Sequence, residues 1–233
     1  MAGGVDKLRR KPDYVGHRER LRERFMSGGP KALHDYEMLE LLLFRALPRQ
    51  DTKPLAKALL ARFRSFPEVL TADPLRLKEV KGVGDAVIAE LKLVVAASER
   101  IVRGAIEKRP VLTSWSKIID YCRTCMAFRD RECLRILFLD TKNCLITDEV
   151  LQEGTVNHTQ VYPRELMRRA MELSASSIII VHNHPSGDPE PSGFDIAQTK
   201  TLIELGEKLG VKIHDHVVIG RNGHVSLKGQ KLI

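Results

Sequence analysis

The sequence lacks a hydrophobic run long enough to cross a membrane. A membrane span needs about 18–20 consecutive apolar residues, and no segment of this 233-residue chain approaches that length. The basic N-terminal segment, residues 1–25, also has no apolar core of the kind that marks a secretory signal. From these two absences we expect a cytoplasmic protein that makes no membrane contact. The chain also shows no clear internal repeat and no low-complexity tract.

Cysteine is scarce, with four residues in the whole chain. In the cytoplasm we expect these residues as reduced thiols. Cys122 and Cys125 have the C-x-x-C spacing found in zinc sites, but no second pair accompanies them. A buried or idle thiol pair is therefore the favoured interpretation, and a second metal site is the alternative.

Acidic residues are outnumbered by basic ones, 30 to 38, which gives a net charge of +8 and a pI near 9.4. This excess favours contact with the phosphate backbone of nucleic acids, although charge alone argues only for solubility and non-specific binding. The apolar fraction of 43% is ordinary for a globular protein, and the chain length suits two modest domains.

The N-terminal part of the chain, residues 1–103, is predicted to be a helical domain. After a charged opening of about 30 residues without a clear apolar pattern, apolar residues at helical spacing begin. They predict helices over residues 35–47, 53–63 and 86–102, and a further helix start at Asp73.

Lys81, Gly82, Val83 and Gly84 form a predicted hairpin between two helices, within residues 73–100. Glycines permit positive φ and a close approach of the backbone to a ligand, and amides at the start of the next helix can face a phosphate. The segment resembles the helix-hairpin-helix motif of DNA-repair proteins, which implies contact with a DNA backbone. The alternative is a helix-to-helix turn that needs glycine only for its geometry, and the nearby Asp85 works against phosphate contact.

After a predicted linker at residues 104–112, the pattern changes to alternating strands and helices. Strands are predicted at residues 134–139, 144–151, 177–181, 213–219 and 224–227. Helices are predicted to begin at Pro163 and to cover residues 195–209, and Asn222-Gly223 is the predicted hairpin turn before the last strand. Residues 113–233 are therefore expected to form an α/β domain with a mixed sheet.

Residues 181–195 of this domain contain a candidate metal site. His182 and His184 stand two residues apart at the end of a predicted strand, so both side chains leave the same face. An irregular loop rich in proline and glycine then leads to Ser192 and Asp195, which have the spacing of a helix capping box. Two imidazoles and a carboxylate suit Zn²⁺ with a water as fourth ligand. Two surface histidines followed by an ordinary helix cap are the alternative.

A second cluster, His214, Asp215 and His216, lies at the start of a later strand. Support for the fold or for the metal ligands is favoured there over direct ligation. The cluster therefore predicts a supporting role, either for the fold or for the metal ligands.

The segment HNHPSGDPEPSGFD resembles the JAMM signature of the JAB/MPN metalloprotease superfamily, which is H-x-H-P followed by S-x-x-D. The wider pattern, from GTVNHTQVYPREL to DHVVIG, is similar to the RadC family, the UPF0758 group of DNA-repair proteins. The resemblance covers nearly the whole chain, including the helical domain. One departure is Tyr162, which stands where RadC proteins usually have histidine before P-R-E.

The resemblance implies a role for each matching residue. His182, His184 and Asp195 fall on the family's zinc ligands, and Ser192 falls on a serine that stabilises the developing oxyanion. A glutamate near the opening strand of the domain acts as the general base, a position that Glu132 fits best. Glu153 is the alternative. The implied activity is hydrolysis of a peptide or isopeptide bond with one zinc ion per chain, on a protein or peptide substrate that the sequence does not identify.

Two other functions compete with this one. The first is a DNA-binding module for genome maintenance, with a structural zinc or none, which the basic charge balance and the glycine hairpin favour. The second is a metal-dependent nuclease, which is less favoured because two-metal sites are the more frequent solution for that chemistry. DNA binding and hydrolysis are also compatible, with the helical domain directing the enzyme to a DNA-bound protein.

Overall fold

The computed structural model describes residues 16–106, 110–154 and 162–233. The helices in these ranges are α1 (His17–Gly28), α2 (Asp35–Ala46), α3 (Lys53–Phe63), α4 (Phe66–Thr71), α5 (Pro74–Lys78), α6 (Asp85–Gly104), α7 (Trp115–Met126), α8 (Pro163–Glu172) and α9 (Gly193–Leu209). The strands are β1 (Cys133–Leu139), β2 (Leu145–Glu153), β3 (Ser177–Asn183), β4 (Lys212–Gly220) and β5 (Gly223–Ser226). None of the helices in these ranges has both the length and the apolar character that crossing a membrane requires.

The chain divides into two compact units, and the first unit, up to Leu93, is helical over its described residues. The helices predicted in this part of the chain are confirmed, with ends that agree within about two residues. Asp73 caps α5 by accepting the Leu75 amide at 2.8 Å. The fully buried apolar side chains of this unit include Leu39, Leu43, Leu59, Leu77 and Leu91.

Two helices of the first unit were not predicted. In α1 the only buried side chain is Leu21, and the helix is held to the following segment by Arg18, whose guanidinium donates to three main-chain carbonyls at the end of α2 and just beyond it. With so little apolar character, α1 shows no helical pattern in the sequence. In α4 the hydroxyl of Ser65 accepts the Glu68 amide at 3.4 Å, so a Ser-x-x-Glu capping signal was present.

The division between the two units falls inside α6, between Leu93 and Val94, whereas the sequence prediction kept this helix whole in a domain of residues 1–103. The last part of α6 groups with the second unit, in which Val102 of this helix and Ile106 just after it pack in an apolar cluster that contains side chains of α7. Residues 107–109 of the predicted linker at 104–112 lie outside the described residues.

The second unit is an α/β domain with a mixed sheet, as predicted. The strand order is β2-β1-β3-β4-β5, in which β3 and β4 are parallel and the other neighbours are antiparallel. Every residue of β3 is buried, which confirms the central strand expected from its β-branched run. The predicted turn at Asn222-Gly223 was wrong by one residue, because Gly223 pairs with Gly220 and leaves Arg221-Asn222 as the turn.

Helices cover both faces of this sheet. Apolar side chains of α7 pack on one face with Leu137 and Val181, and those of α8 and α9 pack on the other with Ile136 and Ile180. Successive side chains of a strand point to opposite faces. His182, two residues after Ile180, therefore lies on the face covered by α8 and α9, at the carboxyl end of the central strand.

Candidate metal centre

His182, His184 and Asp195 lie together, with one ligand atom of each within 4.8 Å of the others. The Nε2 atoms of the two histidines are 3.0 Å apart. His184 follows β3 directly, and its amide donates to the carbonyl of Ile219 at 2.9 Å, which prolongs the contact with β4. The same-face arrangement predicted for the two imidazoles is therefore present.

Asp195 is presented by the first turn of α9. The predicted capping box is confirmed, because the hydroxyl of Ser192 caps the Asp195 amide while the Asp195 carboxylate accepts the Ser192 amide. The Ser192 hydroxyl also lies 2.5 Å from Asp195 Oδ2 and donates to it. Ser192 holds Oδ2 through these bonds, and Oδ1 lies 3.6 Å from His182 Nε2.

The hydrogen bonds of His184 assign its tautomer. Its Nδ1 lies 2.9 Å from the carbonyl oxygen of Asp188, an atom that can only accept. The proton of a neutral His184 ring therefore sits on Nδ1, and Nε2 carries an unprotonated lone pair. Nε2 is 3.9 Å from Asp195 Oδ2.

The hydrogen bonds of His182 assign its tautomer in the same way, through two more residues. Thr199 donates its hydroxyl proton to the carbonyl of Asp195 at 2.5 Å and so accepts from His216 Nδ1 at 2.6 Å. His216 Nε2 is then the acceptor for His182 Nδ1 at 2.7 Å. With its proton on Nδ1, neutral His182 also presents an unprotonated Nε2 to the cluster.

Burial favours the neutral form of His182 and of His216. It lowers the pKa of His182 to about 4, helped by the neighbouring His184 and opposed by Asp195. Burial also lowers the pKa of His216 well below its ordinary value, and the two other histidines act in the same direction. A neutral imidazole with a free Nε2 is the form that binds a metal ion.

The donor set fits a zinc ion. Two imidazole nitrogens 3.0 Å apart and a facing carboxylate form a set of donor atoms that a bound cation can satisfy. A tetrahedral zinc ion with bonds of about 2.0–2.1 Å separates its ligand atoms by about 3.3–3.4 Å. The two nitrogens are 3.0 Å apart, and Asp195 approaches His182 through Oδ1 at 3.6 Å and His184 through Oδ2 at 3.9 Å, so the three side chains lie near the spacing that such an ion requires.

Glu132 stands just before β1. Leu134, two residues later, pairs with His182 in the antiparallel ladder between β1 and β3. The buried side chain of Asn183 accepts from the Cys133 amide at 2.9 Å and donates to the Arg131 carbonyl at 3.1 Å. The main chain on both sides of Glu132 is therefore held by the residue between the two histidines.

Glu153, the alternative base, pairs with Cys133 at the end of β2. Its side chain and residues 155–161, which belong to the segment quoted for the family resemblance, lie outside the described part of the chain. The choice between the two glutamates therefore stays a prediction.

Tyr162 is the residue at the N-cap position of α8, and its side chain is exposed. Pro163 stands in the first turn of the helix, as predicted. Tyr162 lines a cavity of about 310 Å³ together with Leu134, whose strand neighbour is His182. The position at which this chain departs from the family pattern therefore lines the same cavity as the strand partner of His182.

The remaining predicted site residues lie elsewhere. Lys81, Gly82 and Gly84 are exposed between α5 and α6, while Val83 is buried and anchors the turn. Cys122 and Cys125 are buried in α7, and burial raises the pKa of Cys125 to about 11. Among the described residues, the group that could hold a metal ion is His182, His184 and Asp195, without these cysteines.

Two residues that support the site were not predicted from the sequence, although the spacing of each relative to a proposed ligand could have indicated it. Thr199 follows Asp195 by four residues on α9 and therefore shares its face of the helix. Asn183 stands between the histidines and, by strand alternation, points to the opposite face, where it holds the main chain beside Glu132. The supporting role predicted for the second histidine cluster is seen at His216, which contacts His182.

Comparison with protein families agrees with this geometry. A family model described as RadC-like JAB domain matches residues 112–232, more than half of the chain, and includes every residue of the cluster. A second model, described as UPF0758 N-terminal, matches residues 14–89. The chain therefore belongs to the RadC family, with a RadC-like JAB domain after its helical N-terminal region.

Proposed function

We propose that this chain is a zinc-dependent hydrolase that cleaves a peptide or isopeptide bond in a protein or peptide substrate. The observation that carries the proposal is the convergence of two unprotonated imidazole nitrogens and a carboxylate on one point. A zinc ion bound there supplies Lewis-acid activation of a water and of the substrate carbonyl. The side chains of His184 and Asp195 are 21% and 14% exposed, so a substrate can approach.

Glu132 is the favoured general base. Its place two residues before Leu134, the strand partner of His182, supports this role. Its main chain is also held by Asn183 and by the Gly154 amide, which donates to the Glu132 carbonyl at 2.8 Å. In amide hydrolysis a positioned carboxylate takes the proton of the attacking water and returns it to the leaving amine. Glu153 is the alternative for the same step.

Ser192 has two proposed roles that compete for one proton. Its hydroxyl donates to Asp195 Oδ2 in this structure, which orients the carboxylate. To stabilise a tetrahedral oxyanion, Ser192 has to exchange that bond for one to the substrate. We therefore propose that Ser192 orients Asp195 first and donates to the oxyanion as the reaction proceeds.

Cleavage of a mixed peptide library and of lysine-linked isopeptides, followed by mass spectrometry, tests the proposal. We expect the zinc-loaded protein to cleave at least one class of substrate and His184→Ala to be inactive. Glu132→Gln should retain zinc and lose about 10²–10⁴ in kcat, whereas Glu153→Gln should be close to wild type. His224→Ala, an exposed histidine of β5, is the matched control. Cleavage that survives His184→Ala would contradict the proposal.

A second function, binding of a DNA backbone by the helical unit, is favoured by the turn before α6. Gly82 has a positive φ of 97°, and Lys81 and Gly84 are exposed next to it. Main-chain amides at the start of a long helix, with a lysine beside them, suit a phosphate. The ion pair of Lys78 with Asp85 at 2.7 Å places an acidic group at the same end of α6 and works against this function.

Fluorescence anisotropy with a DNA duplex over a range of salt concentrations tests the second function. One phosphate contact by Lys81 contributes about 0.9 to the slope of log affinity against log salt concentration. We expect Lys81→Ala to reduce the slope by that amount, and Lys200→Ala, an exposed lysine of α9, to leave it unchanged. Identical slopes for Lys81→Ala and the wild type would remove the hairpin from DNA binding.

A further inference from the structure

We propose that His216 and Thr199 are positioning residues that set the zinc affinity of the centre by fixing the tautomer of His182. The inference rests on the proposed metal centre and concerns two residues that are not themselves among the proposed metal ligands. Neither residue belongs to the His-x-His or Ser-x-x-Asp spacing from which the centre was predicted. Both are buried, with exposed fractions of 3% and 1%.

The polarity of the chain of hydrogen bonds is determined at its far end. The Asp195 carbonyl can only accept, so Thr199 must direct its single hydroxyl proton there. The hydroxyl oxygen then accepts from His216 Nδ1, and His216 Nε2 accepts from His182 Nδ1. Each hydrogen bond determines which atom donates in the next one. In the last bond His182 donates from Nδ1, so its Nε2 carries no proton in the neutral ring.

Removal of the threonine hydroxyl would reverse this polarity. His216 Nδ1 would have no acceptor, and a buried unpaired N–H is costly. The other tautomer, with the proton on Nε2, would then be preferred and would donate to His182 Nδ1. The proton of His182 would move to Nε2, the atom that has to face the metal ion.

The same series of hydrogen bonds also connects two of the three proposed metal ligands. His182 belongs to β3 and Asp195 to α9, and the bonds through His216 of β4 and Thr199 join them. A change at Thr199 should therefore disturb both ligands, whereas a change at Thr201, on the exposed side of α9, should disturb neither. Residues that orient metal ligands through hydrogen bonds typically contribute 10–100-fold to metal affinity.

Zinc affinity, measured by competition with a chromogenic chelator, tests the inference in three variants of the full chain. We expect Thr199→Val to bind zinc about 10–100-fold more weakly than the wild type and Thr199→Ser, which keeps the hydroxyl, to stay within about threefold. Thr201→Val is the control, because it removes an equivalent bond to the carbonyl four residues earlier on the exposed side of the same helix. Unchanged affinity in Thr199→Val would overturn the inference.

A second measurement separates the tautomer from a general loss of structure. Long-range ¹H–¹⁵N NMR spectra of the metal-free protein distinguish protonated from unprotonated ring nitrogens. We expect an unprotonated His182 Nε2 in the wild type and in Thr199→Ser, and a protonated one in folded Thr199→Val. The same tautomer in all three would contradict the inference.

The outcomes separate the inference from the proposed function. A wild-type protein that binds zinc but cleaves nothing would remove the hydrolase and leave the positioning role supported by the affinities of the threonine variants. A Thr199→Val variant that binds zinc like the wild type would remove the positioning role and leave the metal centre.

Discussion

The two faces of the central sheet each bury a polar cluster, and the clusters differ in how their groups are paired. On the α7 face, Arg135 forms an ion pair with Asp148 of the neighbouring strand, and the hydroxyl of Tyr121 lies 2.6 Å from Asp148 and 2.9 Å from Arg135. On the α8–α9 face, His182 and His184 direct unprotonated nitrogens at each other and at a carboxylate.

This difference in pairing distinguishes a buried polar cluster that supports the fold from one that suits a bound ligand. In the first cluster the Asp148 carboxylate meets two guanidinium groups, that of Arg135 and that of Arg103 at 3.2 Å, so the protein itself compensates its negative charge. In the second cluster two imidazole nitrogens face each other and a carboxylate, an arrangement that a bound cation would compensate. Burial alone would not distinguish the clusters, since both contain side chains that are almost fully buried.

The largest effect is expected from breaking the balanced cluster. Asp148→Ala should lower the free energy of unfolding by about 3–5 kcal/mol, because it leaves the Arg135 guanidinium buried without its counter-charge. Urea unfolding followed by circular dichroism measures the change. The folded variant should keep its zinc affinity, since the pair lies on the other face of the sheet.

Glu172→Ala is the control for this variant, because Glu172 forms exposed pairs with Arg168 and Arg169 and should contribute about 0–1 kcal/mol. A loss below 1 kcal/mol in Asp148→Ala would mean that the buried pair does not stabilise the fold. A simultaneous loss of zinc affinity would mean that the two clusters are not independent.

The metal-binding cluster should gain stability only when zinc is present. At a free zinc concentration 100 times the Kd, the free energy of unfolding should rise by about 2.7 kcal/mol, provided that the unfolded chain binds no zinc. The same urea titrations with and without zinc measure this gain. His182→Ala/His184→Ala should show none, and an equal gain in that variant would place the bound zinc elsewhere.

The metal-free protein should also lose stability as the pH falls from about 6.5 towards 4. Burial holds the pKa of His182 at about 4 and lowers that of His216, so in this range the unfolded chain binds more protons than the folded chain. Each such histidine lowers the free energy of unfolding by about 1.4 kcal/mol per pH unit. Urea titrations at pH 7.5, 6 and 5 measure the slope, and His182→Ala should have a shallower one. Equal slopes would contradict the assignment of a neutral buried imidazole.

The smallest effect is expected at the helix cap. Ser192→Ala should lower the free energy of unfolding by about 0.5–2 kcal/mol through loss of the N-cap. If Ser192 orients Asp195, the variant should also bind zinc about tenfold more weakly, and Ser192→Thr should restore most of both. Normal zinc affinity together with a reduced kcat would instead assign the serine to the oxyanion alone.

Features encoded by neighbouring residues were predictable from the sequence. The two histidines lie on one strand, and Ser192 and Asp195 lie in one helical turn, so a spacing of two or three residues sufficed to predict their geometry. Likewise, β-branched residues predicted the central strand, and Pro163 predicted the start of α8. In these cases the local pattern and the tertiary structure agree.

Features that depend on how distant segments pair were not predictable. Arg135 and Asp148 meet because of the register between β1 and β2, which contains an irregularity after Leu134. The bond from His182 to His216 depends on the parallel register of β3 and β4, across a separation of 34 residues. The turn at Arg221-Asn222 was missed by one residue for the same reason, because the ladder uses Gly223.

The most direct test of the metal centre is the metal content of the purified protein. Inductively coupled plasma mass spectrometry of the wild type, of His182→Ala/His184→Ala and of His224→Ala after equilibration with zinc gives the stoichiometry in each. We predict about one zinc ion per chain in the wild type and in His224→Ala, and none in the double variant. A wild-type protein that takes up no zinc, or a double variant that takes up as much as the wild type, would contradict the account.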